Sequence, residues 1–238
     1  MDARWSMIIL VAIIFVSIII MLRRGRHYLT PLSSSALFGG AGLLSPEQAA
    51  AAVAAFAYSA DPHSADPYNL HARFVQTQRR EFALALHEIR AGRKVGHWSW
   101  FCVPTAPFVL DGVEVGSLLN RRYALRDRPP RDLEGFDAAR AYLDFPATAN
   151  ADEDGQEESG DSSVVCLRDN YFLLMDAARV HLEARRVTSE ELWGVLDAPK
   201  ALASWQLFEK VSRGAGGDRT INELCATLIG LVGGTKLS

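Results

Sequence analysis

Cysteine is scarce in this chain of 238 residues. Cys102, Cys166 and Cys225 stand far apart, odd in number and without metal-ligand spacing, which argues against a disulfide framework and fits a reducing compartment. His63, His71, His87 and His181 share no ligand spacing either, so no metal site is expected. Ser-His-Asp order, a Gly-rich phosphate loop, H-E-x-x-H and paired-Cys motifs are all missing, so catalytic residues stay unassigned and no cofactor is identified. Strand-like alternation is confined to Phe108–Val115, and no fixed period marks a solenoid.

A basic excess is missing too. The formal net charge is −3, and six acids lie between Asp152 and Asp161 with no base among them. Setting those six aside leaves a mildly basic +3, far from a nucleic-acid-binding composition, and no aromatics interleave with basic clusters. Nucleic acid is therefore not an expected partner.

What the chain does have is one long apolar run. Met7 to Leu22 reads MIILVAIIFVSIIIML, with Ser17 as its one polar side chain. As a helix it measures about 24 Å, and Trp5, Ser6 and Arg23 extend it toward the thickness of a bilayer core. Its twelve Ile, Leu, Val and Phe residues give an insertion term of roughly −4 to −7 kcal/mol. Arg23, Arg24 and Arg26 follow directly, where a cleaved signal peptide would carry small residues. The run reads as an uncleaved single-pass anchor, residues 1–27 with the flank. The positive-inside rule leaves the C-terminal part in the cytosol. Endomembrane and mitochondrial outer membrane both suit it.

Residues 28–65 read as a Ser, Gly and Pro-rich linker followed by an Ala-rich helix, which starts at Ser45-Pro46-Glu47-Gln48 and runs to about Tyr58. The main domain spans 66–232, with a tail at 233–238. Leu70, Phe74, Phe82, Leu86 and Ile89 recur at helical spacing, Arg79, Arg80 and Glu88 fall on other faces, and Gly92 sits where a helix C-terminus ends. Further helices are expected at Ser117–Leu125, Leu133–Leu143, Val164–Arg186, Ser189–Gly194, Pro199–Ser212 and Ile221–Val232. Thr188-x-x-Glu191 and Thr220-x-x-Glu223 read as capping boxes, Asp111-Gly112 and Gly116 as turns. The acidic stretch 150–163 has no apolar residue larger than Ala151 and reads as a disordered surface insertion. The expected fold is mainly α: one compact helical domain preceded by one transmembrane helix.

The segment Glu88-Ile89-Arg90-Ala91-Gly92-Arg93-Lys94-x-x-His97-Trp98-x-Trp100-Phe101-x-x-Pro104 resembles the signature of a family known as domain of unknown function 1810. The likeness continues through Tyr123-Ala124, Ala138-x-x-Ala141-Tyr142-Leu143, Pro146, Gly194-x-x-Asp197-x-x-Lys200, Ser204-x-x-Leu207-Phe208 and the stretch from Asp218 to Leu224. It covers roughly Asp66 to Leu228. The resemblance implies a compact, mainly helical domain and no established activity. Thr105 stands where that family usually carries Gln.

Arg93, Lys94, His97, Trp98, Trp100, Asp197 and Lys200 are the candidate ligand-binding residues, since aromatic faces beside cations suit an anionic or nucleotide-like molecule. Against this stands plain packing: adjacent tryptophans belong to cores, and Asp197 with Lys200 at a spacing of three makes a surface ion pair. Two functions stay open. One is a binding or interaction module held at a membrane through residues 7–22, with a protein or a small anionic ligand as partner. The other is a small-ligand or nucleotide-processing enzyme using a His/Trp/Lys pocket.

Overall fold

The computed structural model describes residues 57–59, 61, 63–129, 131, 133–148 and 164–233. All of them belong to one compact unit, Ala54–Ser238. The apolar run, the linker, most of the Ala-rich helix and the acidic stretch lie outside the described residues. Among the described residues no helix is long and apolar enough to cross a membrane.

The unit is mainly helical. A π-helical turn, His71–Val75, leads without a break into α1, Gln76–Arg90. Then come α2, Ser99–Cys102; a hairpin of β1, Val109–Leu110, and β2, Val113–Glu114; α3, Leu118–Tyr123; and α4, Phe136–Leu143. The chain ends in α5, Leu167–Glu183; α6, Ser189–Trp193; α7, Ala198–Val211; and α8, Arg219–Gly233.

Local chemistry accounts for most of these boundaries. Gly92, at φ +84°, closes α1 in a Schellman motif, in which the Arg93 amide donates to Glu88 O (3.1 Å) and the Gly92 amide to Ile89 O (2.9 Å). Ser117 caps α3, and the Thr188–Glu191 capping box is complete in both directions. The hairpin pairs Leu110 with Val113 across a turn at Asp111-Gly112, both at positive φ as a tight two-residue turn requires.

One expectation needs correction. Thr220 does not start the last helix: it lies inside α8, and Asp218, just before the helix, accepts the Ile221 amide at 3.1 Å. Glu88, set apart from the apolar stripe, is nonetheless buried at 8% exposed. The apolar stripe is as expected at Leu70, Phe74 and Ile89, while Phe82 and Leu86 pack against the core from its edge.

Packing follows the long helices. α8 lies against α7 and α5, α5 against α1, and α7 against α4. At the centre Phe74, Tyr142, Phe208 and Tyr171 make a chain of tilted and edge-on rings. A second chain, Trp98–Trp193–Trp205, runs edge-to-face at 6.1 and 6.3 Å, an arrangement the ring quadrupole favours. The thiols are free, and Cys102 and Cys225 are buried.

Candidate functional site

The site begins with one carboxylate in an unusual place. An acid in the last turn of a helix opposes the helix dipole, yet Glu88 occupies that turn in α1. Its oxygens accept the amides of Val95 (2.7 Å) and Gly96 (2.8 Å) and the indole N–H of Trp98 (2.7 Å). Burial raises its pKa, but the Gly96 and Val95 amides, the Trp98 indole and the Lys94 charge outweigh burial and hold it below the ordinary glutamate value. Glu88 thus fixes the loop between α1 and α2. The residue pattern holds one sign of this, an acid where the dipole disfavours one.

The same loop is tied to α6 by the Lys94 amide, which donates to Leu192 O at 2.7 Å. The Lys94 ammonium then turns inward. It donates to Gly96 O at 2.7 Å, pairs with Asp197 Oδ2 at 2.6 Å and lies 5.4 Å from the Trp98 ring centre. Asp197 stands at the N-cap of α7 but makes no side-chain cap bond; its Oδ1 accepts the buried Ser99 hydroxyl at 3.0 Å. Both carboxylate oxygens are therefore engaged from outside the helix.

Lys200, one turn into α7, is 7% exposed. Its Nζ faces the Trp100 ring at 5.9 Å from the centre. The expected surface pair of Asp197 with Lys200 does not form, because Lys94 takes the carboxylate and Lys200 is drawn toward the aromatic segment. Burial first, and then the Lys94 charge, lower the Lys200 pKa to about 7 against the opposing pull of Asp197.

The HWxWF aromatics divide by depth. Trp98 is 1% exposed and Phe101 8%, Trp100 is half-buried, and His97 is exposed with its ring stacked at 6.2 Å from that of Trp100. Thr105 is buried, and its carbonyl accepts the Leu125 amide at 2.8 Å. The structure thus gathers Lys94, Trp98, Trp100, Asp197 and Lys200 in one corner with His97 at its rim, and it adds Glu88 and Ser99.

Arg93 points elsewhere. With Lys94, Gly92 and the segment from Arg186 to Val195 it lines a cleft of about 500 Å³. Arg93 and Arg186, both exposed, have no ion-pair partner among the described residues. Glu190 and Glu191 also line the cleft, and Glu191 is committed to the Thr188 cap. Nothing in the residue pattern singles out Arg186, since only the return of α5 to α6 brings it to the same cleft as Arg93. Among the described residues no group of three His, Cys, Asp or Glu side chains is placed to hold a metal.

Residues 67–150 match the family described as "Protein of unknown function (DUF1810)". That stretch contains the whole HWxWF segment and Glu88, whereas Asp197 and Lys200 lie beyond it. No curated protein matches the chain. Among solved structures, the crystal structure of the conserved hypothetical protein Rv1873 from Mycobacterium tuberculosis is similar, at 22% identity over 69% of this chain and 88% of that one, with a TM-score of 0.48.

Proposed function

We propose that the domain is a binding module for a small anionic molecule, taken up in the cleft between the 92–94 loop and the Arg186–Val195 segment. The observation that carries this is that Arg93 and Arg186, neither with an ion-pair partner among the described residues, both line one cleft of about 500 Å³. That volume suits a small ligand, and guanidinium forks match phosphate and carboxylate oxygens. Lys94 is no free cation there, because Asp197 neutralises it; Glu190 opposes an anion. The Glu88 clamp and the Lys94–Leu192 backbone bond pre-form the loop, which lowers the ordering cost of binding.

The apolar run 7–22 and its three arginines support a single-pass anchor that leaves this module in the cytosol. Protease protection of the C-terminus in sealed vesicles decides that part; a protected Ser238 overturns it.

For the site, the full chain in detergent micelles is titrated with inorganic pyrophosphate and followed by thermal unfolding. Pyrophosphate raises Tm in a saturable way, Arg93→Ala and Arg186→Ala each weaken the response by about tenfold, and Glu190→Gln strengthens it. An equal response in the Arg93→Ala/Arg186→Ala double variant overturns the assignment.

A further inference from the structure

Lys200 is a polar side chain that the fold buries without providing for it. It is more than nine-tenths buried, and among the described residues its Nζ has no hydrogen-bond or ion-pair partner, only the Trp100 ring. The acid that acts on it, Asp197, already pairs with Lys94 on one oxygen and accepts the Ser99 hydroxyl on the other. Burying an ammonium ion without a partner is costly, and burial lowers the pKa to about 7, so that about half the groups are amine at pH 7. The face it meets is the half-buried Trp100, which itself reaches solvent. A lysine desolvated by burial is one arrangement that makes a nucleophile near neutral pH.

We propose that Lys200 is a covalent site for small aldehydes, which it captures reversibly as an imine. The Nζ lone pair attacks the carbonyl carbon, and the C=O π pair moves to oxygen, which takes a proton. The nitrogen then loses its protons as C=N forms and water departs: amine plus aldehyde gives imine plus water. The groups that act on the amine are Asp197 at the start of its own helix, Lys94 from the loop and Cys102 from α2, and burial keeps that thiol protonated. This site is separate from the anion cleft and stands or falls without it.

The chain has four lysines, Lys94, Lys200, Lys210 and Lys236, so a modified residue is read directly by peptide mass spectrometry. The full chain is treated at pH 7 with acetaldehyde and sodium cyanoborohydride, which reduces an imine to a stable secondary amine. An ordinary lysine is neutral in only about one molecule in 2,500 at that pH. Lys200 is therefore expected to be alkylated at least about tenfold faster than Lys210 and Lys236, an advantage that largely vanishes near pH 10.5. Modification of Lys200 no faster than Lys210, or only after denaturation, overturns the proposal. Lys94→Met frees Asp197 Oδ2 to pair with Lys200, and it lowers Lys200 labelling at pH 7 while leaving it intact near pH 10.5. Unchanged labelling at pH 7 in that variant, with its fold verified by circular dichroism, removes the cause assigned here and the proposal with it. If the variant does not fold, the wild-type map decides alone.

Discussion

The Trp98 indole N–H donates to the Glu88 carboxylate across 2.7 Å, and this bond joins the last turn of α1 to the aromatic segment that carries the candidate site. Four N–H···O contacts converge on that carboxylate. Glu88→Gln replaces an acceptor-only group with one that presents two donors of its own to amide donors. The expected loss is about 2–4 kcal/mol, measured by urea unfolding at pH 7. Because the folded pKa of Glu88 is depressed, its contribution is present above the ordinary glutamate value and is lost as pH falls through the folded pKa. The variant should show a shallower acid slope than the wild type.

Trp98 and Trp193 provide a matched pair. Both are essentially buried, but Trp193 Nε1 has no hydrogen-bond partner, whereas Trp98 Nε1 has Glu88. Phenylalanine removes similar volume at each position. Trp98→Phe should be the more costly by about 1.5–3 kcal/mol, the worth of a hydrogen bond to a charged group. Equal losses in chemical denaturation would show that volume alone matters.

The folded pKa of Lys200, about 7, lies below its ordinary 10.5. Between those values the unfolded chain binds more protons than the folded one, so stability rises with pH across that window. Lys200→Met should flatten this rise and stabilise the protein at pH 7 by about 1–4 kcal/mol, as when buried charge gives way to an apolar side chain. Thermal unfolding from pH 6.5 to 10 tests both; a variant with the wild-type slope refutes the assignment.

α4 depends on a distant cap. Gly135, at φ +75°, has no side chain to offer, and Asp127 accepts the amides of Phe136 and Ala138 at 2.9 Å each. Asp127→Ala should cost about 2–3 kcal/mol. Gly135→Ala should cost more than about 2 kcal/mol, because its Cβ would stand 2.2 Å from Leu125 O. Gly112→Asn, at a positive φ in open space, should stay within about 1 kcal/mol of the wild type. Equilibrium unfolding of the three variants ranks these effects.

Arg73 is buried as completely as any side chain, and its guanidinium donates to the carbonyls of Tyr68, Arg122 and Ala124. Lysine keeps the charge but cannot span three acceptors with one planar fork. Arg73→Lys is expected to lose at least about 2 kcal/mol. A loss under about 1 kcal/mol in urea unfolding would mean that the charge, not the fork, holds these carbonyls.

The features legible along the chain are those whose partners lie within about one helical turn or one hairpin. Ser117, the Thr188–Glu191 box, Gly92 and the Asp111-Gly112 turn all satisfy backbone groups no more than five residues away, so residue type and spacing determined them. The same holds for the apolar stripe that begins at Leu70, since helical period alone selects which side chains share a face. Where backbone donors are capped from farther off, local rules choose wrongly or stay silent: Asp127 caps α4 from nine residues before Phe136. The site belongs to this second kind. Lys94 and Asp197 are about a hundred positions apart, and so are Ser99 and Asp197. The chain by itself marked the longer helices of the described domain and the cluster of aromatic and cationic residue types, but not α2. Only the tertiary structure decided which charges share a partner, because a contact between residues about a hundred positions apart depends on how the helices pack and not on local spacing. Packing sets Lys94 and Ser99 against the two oxygens of Asp197 and turns Lys200 toward the Trp100 ring.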